Sequence, residues 1–167
     1  MSDNLVLIGM PGAGKSTVGV LLAKHLALDF VDTDLLLQRK LGLRLQQMIN
    51  LRGLHSFRSA EEQVLMALNC TETVIATGGS AIYSENGMQR LKELGQVIYL
   101  KISLPLLTRR ISDMGQRGIV FEPGQNFESL YADRTPLYHK YADLEIDIDE
   151  LGVEDVLHLI DKYVQKG

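Results

Sequence analysis

The chain contains one cysteine, Cys70, so no internal disulfide can form, as suits a reducing compartment. Cys70 itself is expected to be a small buried apolar side chain late in a helix. No stretch approaches the ~18 consecutive apolar residues that span a bilayer. Met1-Ser2-Asp3-Asn4 lacks the basic segment and small-residue cleavage site of a secretory leader, so the expected location is cytoplasmic. No internal repeat, linker or low-complexity tract interrupts the sequence. The net charge of only −4 offers nucleic acid no global attraction, and an anionic ligand would have to be held by individual cations. His25, His55, His139 and His158 show no metal-ligand spacing, and no second cysteine could join them, so no protein-held metal cluster is expected. What remains is an ordinary globular composition, 46% hydrophobic and 23% charged. At 167 residues it bounds one domain, 1–167, with a substantial core.

Apolar runs alternate with helical patterns along the chain. Leu5-Val6-Leu7-Ile8 is a continuous apolar run, as expected of a parallel strand buried on both faces. Val18, Leu21, Leu22 and Leu26 then follow helical spacing, and Phe30-Val31 reads as a second strand ending at Asp32-Thr33-Asp34. Helices are expected over Leu35–Leu51, broken near Gly42, and over Phe57–Asn69. Val74-Ile75-Ala76 is a third strand. The helix Glu85–Leu94 should close at Gly95 in a left-handed conformation. Val97–Leu100 is a strand and Leu104–Asp113 a helix, and a glycine-punctuated lid covers about 112–126. Phe127–Tyr141 reads as a helix kinked or restarted at Pro136. Glu145–Ile148 alternates like an edge strand, and Val153 to Val164 closes the chain as an amphipathic helix. This order implies an α/β fold of three layers, with a parallel sheet of about five strands.

Gly9-Met10-Pro11-Gly12-Ala13-Gly14-Lys15-Ser16 matches the P-loop pattern G-x-x-x-x-G-K-[ST] between strand and helix. Gly12, Ala13 and Gly14 would turn backbone N–H groups toward phosphates, at the positive end of the helix that follows. Lys15 should reach the β- and γ-phosphates of ATP, Ser16 should ligate Mg²⁺, and Thr17 should lie near the α-phosphate. No N-K-x-D guanine motif is present, and the length leaves little room for motor elements, so a small kinase is the economical reading.

Four further features extend over the whole chain. They are Asp32-Thr33-Asp34, Phe57-Arg58 with Ala60-Glu61-Glu62, Gly78-Gly79, and Arg134-Thr135-Pro136-Leu137-Tyr138. With the P-loop, this ordered set resembles the shikimate kinase family. The resemblance implies phosphorylation of shikimate to shikimate 3-phosphate, a step of aromatic amino acid biosynthesis, with ATP and Mg²⁺. It implies that Asp34 orients the acceptor hydroxyl and can take its proton, and that Asp32 helps hold the metal through water. Arg58 and Arg134 would grip the acceptor carboxylate, with Gly78, Gly79 and Ser80 beside them. Arg117 would be the lid arginine that closes over the phosphates, and Arg110 would pack near the adenine.

Departures from the family pattern bear on the acceptor. Ser80 replaces a third glycine, the lid reads Arg117-Gly118-Ile119-Val120 without a proline, and Leu54-His55-Ser56 replaces an acidic stretch. The late arginine that often helps frame the adenine has no counterpart near Ile148–Gly152. A kinase for gluconate or another hydroxy acid, or an ATP-binding regulatory module without turnover, would share most of these residues. The bare residues require only a hydroxyl-bearing carboxylate acceptor. Asp34 read alone could simply N-cap a helix, Arg58 could pair with Glu61 or Glu62, and Arg134 could pair with Asp133. No heptad seam calls for a partner chain, so a monomer is the default.

Overall fold

The computed structural model describes residues 4–114, 119 and 121–166. Its strands are β1 (Asn4–Ile8), β2 (Asp29–Asp32), β3 (Thr73–Ala76), β4 (Gly95–Lys101) and β5 (Leu144–Asp147). All pair in parallel in the order β2-β3-β1-β4-β5, which is the sheet expected from the alternation of elements. Central β1 pairs on both edges, Leu5 opposite Val74 on one side and Gln96 on the other. Its whole length is buried, so it needs apolar side chains on both faces.

Asn4 is the one polar residue of β1, and every group it buries is satisfied. Its Nδ2 donates to the carbonyls of Cys70 (2.7 Å) and Leu94 (2.9 Å), and its Oδ1 accepts from the Thr73 amide (2.9 Å). Cys70 lies beyond the helix expected to hold it, in the loop before β3, and is half-buried.

The helices are α1 (Lys15–Leu26), α2 (Thr33–Leu41), α3 (Leu45–Met66), α4 (Glu85–Leu94), α5 (Leu104–Met114), α6 (Phe127–Tyr141) and α7 (Val153–Val164), with a single 3₁₀ turn at Ala81–Tyr83. The break near Gly42 is present, and a second occurs within α3 at Gly53, where φ is 81°. Pro136 lies inside one continuous α6. The Thr135 hydroxyl donates to the Tyr131 carbonyl (2.7 Å), one turn back along the helix. Gly95 is extended (φ −174°), not left-handed. It already pairs with Asn4 in the sheet, and a Cβ there would stand 2.2 Å from the Asn4 carbonyl oxygen.

The main core surrounds β1 and β4, while Leu37, Met48, Phe57, Ala60 and Val64 form a second cluster beneath α2 and α3. Among the described residues no helix is long and apolar enough to cross a membrane. The chain leaves β1 toward β2 on one side and reaches β4 on the other. The carboxyl ends of β1, β2 and β3 therefore border one crevice, where ligands of open α/β sheets bind.

Candidate active site

Gly9–Gly14 connects β1 to α1 as a loop whose glycines at 12 and 14 adopt φ of 85° and 92°. Only glycine takes such angles without strain, and they wrap the backbone around a concave anion site. Gly14 caps α1 with no side-chain hydrogen bond, so the first-turn amides are left to a ligand or water. Lys15 is buried (7% exposed), and its Nζ donates to the carbonyls of Gly9 (2.7 Å) and Met10 (2.8 Å). Burial lowers its pKa to about 8, with Arg134 adding to the shift and Asp34 and Asp32 opposing it. The amine thus stays charged at neutral pH. A loop that orients amides and one ammonium into a recess fits a polyphosphate.

The Ser16 hydroxyl donates to Asp32 Oδ2 (2.7 Å), which brings two hard oxygens together beside the loop. Such donors suit Mg²⁺ bound partly through water, so this pair fits the metal that accompanies a nucleotide. Among the described residues no group of three or more His, Cys, Asp or Glu side chains could hold a metal alone. Asp32 has a second role: its Oδ1 accepts from the amides of Asp34 (2.9 Å) and Leu35 (3.3 Å), which makes Asp32 the N-cap of α2. Asp34 is therefore not the cap. It sits in the first turn of α2, with its carboxylate toward the cleft. Burial, and then the neighbouring Asp32 charge, raise its pKa to about 6 against the pull of Lys15.

A cleft of about 550 Å³ joins these parts, lined among others by Gly12–Thr17, Asp34, Gly78, Gly79, Ser80, Arg110 and Arg134. Gly78 and Gly79 are required by close approach. A Cβ on Gly78 would lie 2.4 Å from Asp34 Oδ1, and one on Gly79 would lie 2.8 Å from Arg134 Nη1. The Tyr138 hydroxyl donates to the Gly79 carbonyl (2.6 Å) and locks that turn against α6. Arg110 approaches the carbonyls of Gly12 (3.5 Å) and Ala13 (3.4 Å) from α5. The cleft continues over Ile148, Leu151, Val153 and Val156, an apolar wall in the region that lacks the late arginine.

Arg134 is 2% exposed, so it is a buried cation and not a solvated surface residue. Arg58 pairs with neither Glu61 nor Glu62. Its Nη2 meets Glu122 Oε1 (2.8 Å), and it stands outside the cleft lining. Glu61 is turned inward instead and accepts from the Ser80 hydroxyl with both oxygens (2.8 and 3.0 Å). Burial raises its pKa to about 7, opposed by the Ser80 bond, Arg134 and Arg58 and reinforced by Asp34. The serine that replaces a glycine thus satisfies a buried carboxylate. Arg117 and Val120 lie outside the described residues, whereas Ile119 is buried.

Sequence reasoning named Glu61 and Tyr138 only as parts of the family pattern and gave them no role in the site, and it passed over Tyr83 and Glu122. Glu61 lies one helical turn from buried Phe57, a spacing that points to the same inward face, and could have been found that way. Tyr138 stands in the Arg134–Tyr138 run, whereas nothing in the local sequence marks Tyr83 or Glu122, which meet Arg58 across long separations.

The sequence model of the shikimate kinase family matches residues 11–164. Shikimate kinase of Pseudomonas paraeruginosa is 36% identical over 166 residues, covering 95% of this chain and 96% of the relative. That of Thermodesulfovibrio yellowstonii is 34% identical, covering 98% and 95%. The structure of shikimate kinase from Acinetobacter baumannii in complex with shikimate superposes with a TM-score of 0.86 at 32% identity, covering 98% of this chain and 93% of that one. A deoxyadenosine kinase from M. mycoides, 18% identical with a TM-score of 0.64, shares the fold. The whole-chain similarity agrees with the phosphate loop: the chain belongs to the shikimate kinase family.

Proposed function

We propose that the protein transfers the γ-phosphoryl group of ATP to a hydroxyl of shikimate, giving shikimate 3-phosphate and ADP. The observation that carries this is the single cleft in which the phosphate loop meets Asp34 and Arg134. In-line transfer needs donor and acceptor sites that share one water-poor space, and little covalent chemistry from the protein.

In this reading Gly12–Thr17 cradles the phosphates, and Lys15 leaves its loop carbonyls to neutralise charge on the β- and γ-oxygens. Arg110 lines the nucleotide end. Ser16 and Asp32 would hold Mg²⁺, which when bound would supply positive charge to offset that of the phosphates. Asp34 orients the acceptor hydroxyl and accepts its proton. Its pKa of about 6 leaves it ionised at neutral pH yet more basic than an ordinary aspartate. Arg134 supplies a planar fork to the acceptor carboxylate, and Arg58 a second one after exchanging Glu122 for it. Gly78 and Gly79 leave room for the acceptor, and Arg117 would close over the phosphates from the lid. A monomer acting in the cytoplasm completes the reading, and gel filtration checks its oligomeric part.

The test is ADP release from MgATP with and without shikimate, using Lys15→Met as the blank. Shikimate-dependent, Lys15-dependent release is expected. Release only with gluconate or another hydroxy acid would move the acceptor assignment, and nucleotide binding without any transfer would overturn the enzymatic reading.

A further inference from the structure

Tyr83 ends the 3₁₀ turn that follows Gly78–Ser80, on a backbone fixed from both sides. Its amide donates to the Ser80 carbonyl (3.1 Å), and the next residue, Ser84, caps α4 by accepting from the Gly87 amide (2.9 Å). Ala81 and Ile82, which precede it in the turn, are fully buried. The backbone that carries the ring is therefore anchored in the fold, and two guanidinium groups from different helices lie over the ring. Arg58 of α3 has its Cζ 4.5 Å from the ring centroid, and Arg134 of α6 has its Cζ at 5.4 Å. Both distances fall inside the range in which an aromatic face attracts a cation.

Two like charges brought this close repel, so something must hold them. Arg134 is packed in place, but the Arg58 side chain is 36% exposed. Its ion pair with Glu122, itself 49% exposed, is of the weak surface kind. The buried Glu61 carboxylate lies within electrostatic reach of both arginines, and Tyr83 is a further tether for Arg58. The chemistry of that tether matters: a carboxylate at this point would hold both arginines but neutralise them. An aromatic face attracts them through its quadrupole, carries no formal charge, and leaves the positive charge to an incoming anion.

We propose that Tyr83 is a positioning residue of the acceptor site, whose ring gathers the Arg58 and Arg134 guanidiniums so that both can grip one acceptor carboxylate. The proposal rests on the reading of those two arginines as the carboxylate grip. It makes the residue at position 83 a determinant of acceptor affinity and assigns it no part in phosphoryl transfer.

The variants Y83F and Y83L separate ring from bulk, with thermal melts confirming that both fold. Y83F, which keeps the aromatic face, should hold the shikimate KM within about twofold of the parent. Y83L should raise that KM about five- to tenfold while kcat and the ATP KM stay within about twofold, because only acceptor binding uses the pair. A parental KM in Y83L overturns the proposal, as does equal damage from Y83F, or a parallel loss in ATP KM. Crystal structures of the parent and Y83L supply a readout independent of the acceptor. The Arg58 guanidinium should withdraw from Arg134 in Y83L, and unmoved guanidiniums overturn the proposal. Should the parent show no shikimate-dependent ADP release, the acceptor reading fails by itself, and the crystallographic comparison still decides the role of Tyr83.

Discussion

The two halves of the cleft are built on opposite plans. The nucleotide half is local: one loop, Gly9–Gly14, and the first turn of α1 supply the amides, the lysine and the hydroxyls. The acceptor half, as proposed, draws on separate pieces: Asp34 on α2, Gly78–Ser80 after β3 and Arg134 on α6 line the cleft, while Arg58 on α3 stands outside that lining. The local half presents generic polyphosphate chemistry carried by one glycine-rich turn. In the assembled half the Glu61 carboxylate lies within electrostatic reach of Asp34 and of the Arg58 and Arg134 guanidiniums, and Phe57 and Ala60, beside Arg58 and Glu61 on α3, belong to the second core cluster. Generic recognition tolerates a local device, whereas discrimination among hydroxy acids needs groups fixed from several directions.

The largest test of this contrast is Lys15→Met. It should lower kcat by at least about 10²–10³-fold, because it removes one preorganised charge from the transferring group. The fold should persist, as the buried ammonium costs desolvation that methionine avoids. Circular-dichroism melts alongside ADP release check both parts, and residual activity near the parent's would break the assignment of the loop.

Asp34→Asn probes the seam between the halves. Transfer should fall by about 10²–10⁴-fold, and in the parent kcat should decline as the pH drops through about 6. Stability should move the other way. The folded pKa of Asp34 lies above its ordinary value, so its contribution is complete below about pH 4 and is lost as the pH rises through about 6. Asparagine carries no such penalty. At about pH 8 the variant should be more stable by on the order of 1–2 kcal/mol, a value discounted for the group's partial exposure. The gain should vanish below about pH 4, and thermal melts across that range would show a flat difference if the burial argument is wrong.

The two arginines should separate next. Arg58→Ala should raise the acceptor KM about 10- to 100-fold, through loss of a charge-assisted bond, with little change in Tm. Arg134→Ala should do the same and also lower Tm by several degrees, because Arg134 is 2% exposed and its charge offsets Glu61. Equal stability of the two variants would contradict their different burial.

The smallest effect belongs to Glu122→Gln. Its carboxylate holds the Arg58 edge that an acceptor carboxylate would use, so removing the charge should lower the acceptor KM up to about threefold, with kcat unchanged. An increase would recast Glu122 as a support of the site.

The phosphate loop could be read from sequence because its dihedrals are set by its own glycines and its function by its own backbone. The strands were equally plain, since burial on both faces demands the unbroken apolar runs at Leu5–Ile8 and Val97–Leu100. Residues paired across the sheet escaped notice. Gly95 was read as a helix cap because the signal of a glycine after a helix is local, whereas its true constraint is the backbone of Asn4 across the sheet. In the same way Asp32, not Asp34, proved to be the cap, a two-residue difference that frees Asp34 for the cleft.

The sequence by itself determined that this chain is a parallel α/β P-loop protein with one phosphate-binding turn, since periodicity and glycine dihedrals act over a few residues. Tertiary structure alone decided that Glu61 turns inward to Ser80, that Arg58 meets Glu122, and that the Arg58 and Arg134 guanidiniums lie over the Tyr83 ring. Those contacts join side chains up to 64 residues apart. Their energies depend on burial and on distance between charges, which no local pattern encodes.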